Sequence, residues 1–202
     1  MLTTLRRQTA TGLRVLLVMT VLCGIVYPLA IWGVARIPGL STAAESSVLP
    51  GATGSSLIGI DPVAADPAAD PYFHTRPSAT AEADLGLGPA DTTTSGASNK
   101  GGFDTGLLDT VQQRRAVIAA REGVAPAAVP TDAVTASASG LDPDISPAYA
   151  ALQAPRVARV TGLSLDRVEQ LVADATSGRT LGFLGEPRVN VTELNLSVRD
   201  AR

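Results

Sequence analysis

Histidine, cysteine, lysine and tryptophan each occur once in this 202-residue chain, and aromatic residues make up 3% of it. The single cysteine, Cys23, permits neither an intramolecular disulfide nor a thiolate metal site. The single histidine, His74, excludes a multi-histidine metal centre. A Ser-His-Asp triad would have to use His74 as its base, yet no nucleophile-elbow pattern accompanies it. No Gly-rich loop ends in Gly-Lys-Ser/Thr, so the phosphate cradle of P-loop nucleotide enzymes is missing. Asp142, Asp144 and Glu186 stand beside prolines or turns, where shaping the backbone is the default role of an acid. The residues therefore predict no catalytic site and no metal site in this chain. The formal net charge of -3 implies no general affinity for nucleic acid.

Charge is also missing locally. Val15 to Ala35 carries none, and residues 1–36 hold Arg6, Arg7, Arg14 and Arg36 with no acid, whereas the remainder has 12 basic and 19 acidic residues. About 20 predominantly apolar residues suffice for a helix to cross the ~30 Å hydrocarbon layer. Eleven Val, Leu and Ile residues lie in the run, at roughly -0.3 to -0.6 kcal/mol each near a helix centre, which outweighs Thr20, Gly24, Pro28 and Gly33. The reading is a cytoplasmic N-terminus (1–14), a transmembrane helix (15–35) with a shifted hydrogen-bond ladder or kink at Pro28, and Trp32 at the far interface. A secretory signal peptide has a shorter apolar region of ~7–15 residues. The positive-inside rule keeps Arg6, Arg7 and Arg14 in the cytoplasm and places the rest of the chain outside it, in an inner or plasma membrane.

Residues 36–56, rich in Ser, Ala, Gly and Thr, read as a tether, and residues 57–202 as a compact extracytoplasmic domain. Leu57–Ile60 is a short strand candidate. Asp-Pro pairs at 61–62, 66–67 and 70–71 exclude helix there. The stretch 78–102 is almost all Gly, Ser, Thr, Ala and Asp, too long for an ordinary connection and thus a candidate partner surface. Asp104 caps a helix running to about Arg121, Ser146-Pro147 starts another that Pro155 breaks or kinks, and Ser164 starts a third that Gly178 ends. Val129–Ala136 is a connection or short strand, and the alternation over Arg188–Ser197 reads as a C-terminal strand. Short strands with about three helices between them make an α+β domain behind one transmembrane helix.

Several long runs carry a resemblance. They are Val129–Ser137, Ser139–Pro147 and Gly178–Arg179 through Leu184–Val191, with Gln153 and Arg156–Ala158 between them. Gly54–Gly59, Tyr72–Ala79 and Ser95–Asn99 add to these in the first half. In this order, behind a single span, they resemble the C chain of the Kdp-type potassium-transporting ATPases, the KdpC family. The chain departs from the family pattern at Ile60, Ala138, Asp144, Pro155 and Lys100–Asp104.

What the resemblance implies is an accessory, non-catalytic subunit of an ATP-driven, high-affinity potassium uptake complex. Such a subunit stabilises assembly and raises the pump subunit's apparent ATP affinity, as a catalytic chaperone. Its partners would be a P-type ATPase subunit, a potassium-channel-like subunit, a small single-helix subunit and membrane lipid. ATP and potassium belong to the complex, with no cofactor assigned to this chain directly. Polar residues of the matched motifs, Arg76, Asn99, Gln153 and Arg188, are the candidate partner contacts. Asp142, Pro143, Glu186 and Pro187 are candidate structural turns. The same anchor and domain would also serve a membrane-anchored extracytoplasmic sensor or ligand-binding module.

Overall fold

The computed structural model describes residues 2–45, 47–49 and 54–202. It divides into two compact units, Met1–Ser47 and Val48–Arg202. In the first, Leu2–Val21 (α1) and Tyr27–Ala35 (α2) are joined by a π-helical turn over Leu22–Val26, making one run of 34 residues. At 1.5 Å per residue that is about 51 Å, enough to cross the hydrocarbon layer with a turn or more to spare. Among the described residues it is the single helix of that length and apolarity, and none of its residues is buried within the unit. The π turn answers Pro28. A proline in α-register would drive its ring into the carbonyl four residues back, that of Gly24. Tyr27 instead donates to the carbonyl of Leu22, five residues back, and the ladder passes the proline in wider register. A short helix, Leu40–Glu45 (α3), follows; residues 46 and 50–53 of the expected tether lie outside the described residues.

The second unit is α+β. Its helices are Thr105–Glu122 (α4), Thr131–Val134 (α5), Pro147–Thr161 (α6), Leu165–Asp174 (α7) and Val191–Asp200 (α8). Its small antiparallel sheet has the order β1-β3-β2, from Asp144–Ile145 (β1), Thr176–Ser177 (β2) and Arg188–Asn190 (β3). Ile145 and Thr176 both face Val189 across the ladders. The caps explain where the helices begin. Asp104 accepts from the Leu107 amide at 2.8 Å, Ser146 from Tyr149 at 3.0 Å and Ser164 from Arg167 at 3.2 Å. Ser146 is itself gripped by both oxygens of Asp132 on α5. Helix α6 lies at the centre, burying Tyr149, Ala150, Ala154, Val157 and Ala158 against Phe73, Ile118, Val168, Val189 and Leu194.

Several expectations change. Arg188–Ser197 is a strand for three residues only, because the Asn190 side chain accepts from the Glu193 amide and starts a helix; Val191, Leu194 and Val198 then fall on one buried stripe. Helix α6 continues through Pro155, since Pro155 and Ala151 four residues earlier both lie on the exposed side, where solvent serves the carbonyl that proline cannot. Helix α7 ends at Asp174 with Ala175 as its cap, before Gly178, because Thr176 and Ser177 turn into β2. Leu57–Ile60 contributes an isolated bridge, Ile58 with Ser55, and Val129–Ala136, expected as a connection or short strand, contains α5.

Candidate functional site

The extended segment Pro71–Pro77 runs through the interior with almost no strand beside it, so its amides and carbonyls need other partners. Two side-chain amides supply them. Asn195 on α8 accepts from the Phe73 amide and donates to the Phe73 carbonyl, both at 2.8 Å. Gln153 on α6 does the same for His74, at 2.8 and 3.2 Å. Successive residues of an extended chain present their polar groups to opposite sides, so one helix grips each side. Gln153, a contact candidate from sequence, is 0% exposed and its amide is spent on this clamp. Asn195 carries no sequence signal except that Asn195-Leu196-Ser197 matches the N-glycosylation pattern.

The same segment carries a charge network. His74 Nδ1 lies 2.8 Å from Asp61 Oδ1 and Nε2 lies 2.6 Å from Asp70 Oδ2, all three residues being buried. Arg156 on α6 donates to the carbonyls of Asp70 and Tyr72 and to Glu122, whose other oxygen accepts from Arg121. Arg121 also donates to the Tyr149 hydroxyl. Burial pushes the Asp70 carboxyl up, but His74, the Tyr72 amide and Arg156 together outweigh it and hold the group at about 2. Burial raises the Tyr149 hydroxyl to about 12 against the opposing pull of Arg121. A cavity of about 180 Å³ opens beside this network, lined among others by Asp61, His74, Asp70 and Arg121. With a carboxylate on each ring nitrogen, His74 has neither free to relay a proton from a nucleophile. Among the described residues no three metal-ligating side chains converge in a metal site.

The remaining sequence candidates fall around a second junction. Arg76 Nη1 meets Asp142 Oδ2 at 3.1 Å, and its other nitrogens donate to the carbonyls of Thr135 and Ala136. Asp142 also accepts from the Asp144 amide, an Asx turn that spans Pro143. Gly59 donates to the Leu141 carbonyl so closely that a Cβ there would collide with the Asp142 carbonyl. Arg188 is exposed at the end of β3 and pairs with Asp144 at 2.9 Å. Burial raises the Asp144 carboxyl, with Arg188 opposing and Asp142 and Glu193 reinforcing. Asn99 is exposed, at a left-handed φ of 54°, in the long loop expected to meet partners. That loop is pinned by Arg114, buried on α4, which donates to the Leu85 and Val134 carbonyls. Glu186, beside Pro187, pairs with Arg179 in an exposed hairpin loop.

The sequence pattern of the family described as "K+-transporting ATPase, c chain" (KdpC) matches residues 9–200. A protein of Kineococcus radiotolerans named "Potassium-transporting ATPase KdpC subunit" is 48% identical over 201 residues, 99% of this chain and 97% of its own length. Proteins of the same name from Variovorax paradoxus (48% identical, 89% of each chain) and Geobacter sulfurreducens (41% identical, 95% of this chain and 97% of theirs) also match.

Proposed function

Because the chain belongs to the KdpC family, the C chains of potassium-transporting ATPases, we propose that it is the accessory, non-catalytic subunit of an ATP-driven potassium uptake complex. The observation that carries this reading is the likeness over nearly all of both chains, anchor and folded unit together. The interior supports it too: the titratable residues around His74 are consumed in holding Pro71–Pro77 between two helices, which is scaffold chemistry. Arg6, Arg7 and Arg14 keep the N-terminus in the cytoplasm, and the unit beginning at Val48 then lies outside.

In that topology the domain cannot touch cytosolic ATP. It packs on the outer face of a channel-like subunit, and its effect on the pump subunit's ATP affinity is a coupling free energy passed through membrane helices. The partners are a P-type pump subunit, the channel-like subunit and a small single-helix subunit. Arg188 and Asn99, both exposed, are the contact residues among the sequence candidates.

The test is an affinity pull-down of the tagged full chain from detergent-solubilised native membranes. Co-recovery of a P-type ATPase and a multi-span channel subunit, with potassium-stimulated ATP hydrolysis in the eluate, is expected. Recovery of the chain alone, folded and monomeric, would reject the subunit role.

A further inference from the structure

Residues 177–188 are exposed without interruption. Residues 178–187 form the loop between β2 and β3, closed by a bridge between Thr180 and Leu184. At its tip stand three apolar side chains, Leu181 at 80%, Phe183 at 68% and Leu184 at 51% exposure, none of them part of the core. The tip is nonetheless well formed. Gly182 donates to the Arg179 carbonyl, Leu184 donates to the Thr180 carbonyl, and Thr180 donates back to Leu184. Leu181 and Gly182 hold left-handed φ values of 54° and 82°. Glycine or asparagine would adopt the first of these more easily than leucine. A strained leucine on an exposed tip earns its place by what the side chain meets outside the chain.

We infer that the hairpin tip Leu181–Leu184 is an apolar wedge that seats in a hydrophobic pocket on another protein subunit of the transporter. This rests on the subunit reading above and adds the surface by which the folded unit is held. Charge decides between a protein and a lipid occupant. Arg179 is paired with Glu186 at 2.6 Å and Arg188 with Asp144 at 2.9 Å, so each cation of the hairpin is matched by an acid. An anionic lipid surface selects unmatched Lys and Arg beside the apolar residues. A neutral polar ring around an apolar tip is instead the arrangement of a protein hot spot, with paired charges at the rim excluding water from the centre.

Phe183→p-benzoylphenylalanine in the full-length chain, irradiated in native membranes holding the complex, tests the contact by mass spectrometry of the adduct. A covalent adduct with another subunit of the ATPase is expected. The double substitution Leu181→Asp with Phe183→Asp is expected to lower co-recovery of the other subunits about tenfold or more. Phe183→Leu should restore most of it, and circular dichroism of all variants should match the parent. Adducts with lipid alone, an adduct with a second copy of this chain, no adduct, or unchanged co-recovery by the double variant would overturn the wedge. The parent chain separates the two readings. If the parent recovers no ATPase subunits, the subunit role fails and the wedge with it. If the parent recovers them and the probe at Phe183 does not cross-link, the wedge alone fails.

Discussion

At Asp70 burial raises the carboxyl, but His74, the Tyr72 amide and Arg156 together outweigh it and leave the group at about 2, below its ordinary value of 3.8. A depressed folded-state value means the ionised form is favoured by folding. The stabilisation is therefore complete above pH ~4 and is lost as pH falls towards 2. After allowance for solvent screening it amounts to about 1–2 kcal/mol. Urea denaturation at pH 6 and pH 2.5 should show this loss in the parent chain, and Asp70→Asn should flatten the difference. An unchanged pH slope in the variant would assign the acid sensitivity to other groups. Gln153 makes a different kind of contribution, since it satisfies both backbone groups of His74. Gln153→Leu keeps most of the volume and leaves a buried N–H and C=O unpaired, at about 1–3 kcal/mol each. A fall in Tm of roughly 10 °C is the expected reading, and a shift within 1 °C would mean solvent reaches the segment.

Element by element, the helix starts follow from single residues and the connections do not. Asn190 is the clearest case, ending β3 and starting α8 with one side chain while its Nδ2 donates to the Ser56 carbonyl at 2.8 Å. Asn190→Ala should cost about 1–2 kcal/mol by loss of the cap and of that tie, read as a lower urea midpoint with unchanged slope. A reduced slope would show that α8 unravels in the native state. The alternation of Val189, Val191 and Glu193 favoured a strand, but the helical spacing of Val191, Leu194 and Val198 was present in the same residues. The cap decided between the two periods. At Pro155 the rule against proline inside helices lost to position, because the side of α6 that it disturbs is already wet.

For the molecule as a whole, the buried apolar cluster among the described residues runs from Phe73 to Val198, within the second unit. Residues 54–202, expressed without the apolar helix, should fold with cooperative thermal unfolding and helical circular dichroism. A non-cooperative melt would show that the anchor contributes to the fold of the second unit. Within that unit, Asp61, Asp70, His74, Gln153, Arg156 and Asn195 come from three distant stretches of chain and meet around Pro71–Pro77.

From the sequence alone came the apolar span, its basic N-terminal flank, the α+β class, the family resemblance and the starts of α4, α6 and α7. These depend on composition, on local hydrogen bonds or on long matched runs. Only the tertiary structure decided that Gln153 serves the interior, that Asn195 is its counterpart, that Arg76 meets Asp142, and that Leu181 and Phe183 stand free of the core. A side-chain amide, a guanidinium or a phenyl ring has the same local signature whether buried or exposed. What distinguishes the two is which distant segment the fold brings against it, and that is set by the packing of α6 and α8 on either side of one extended strand-like segment.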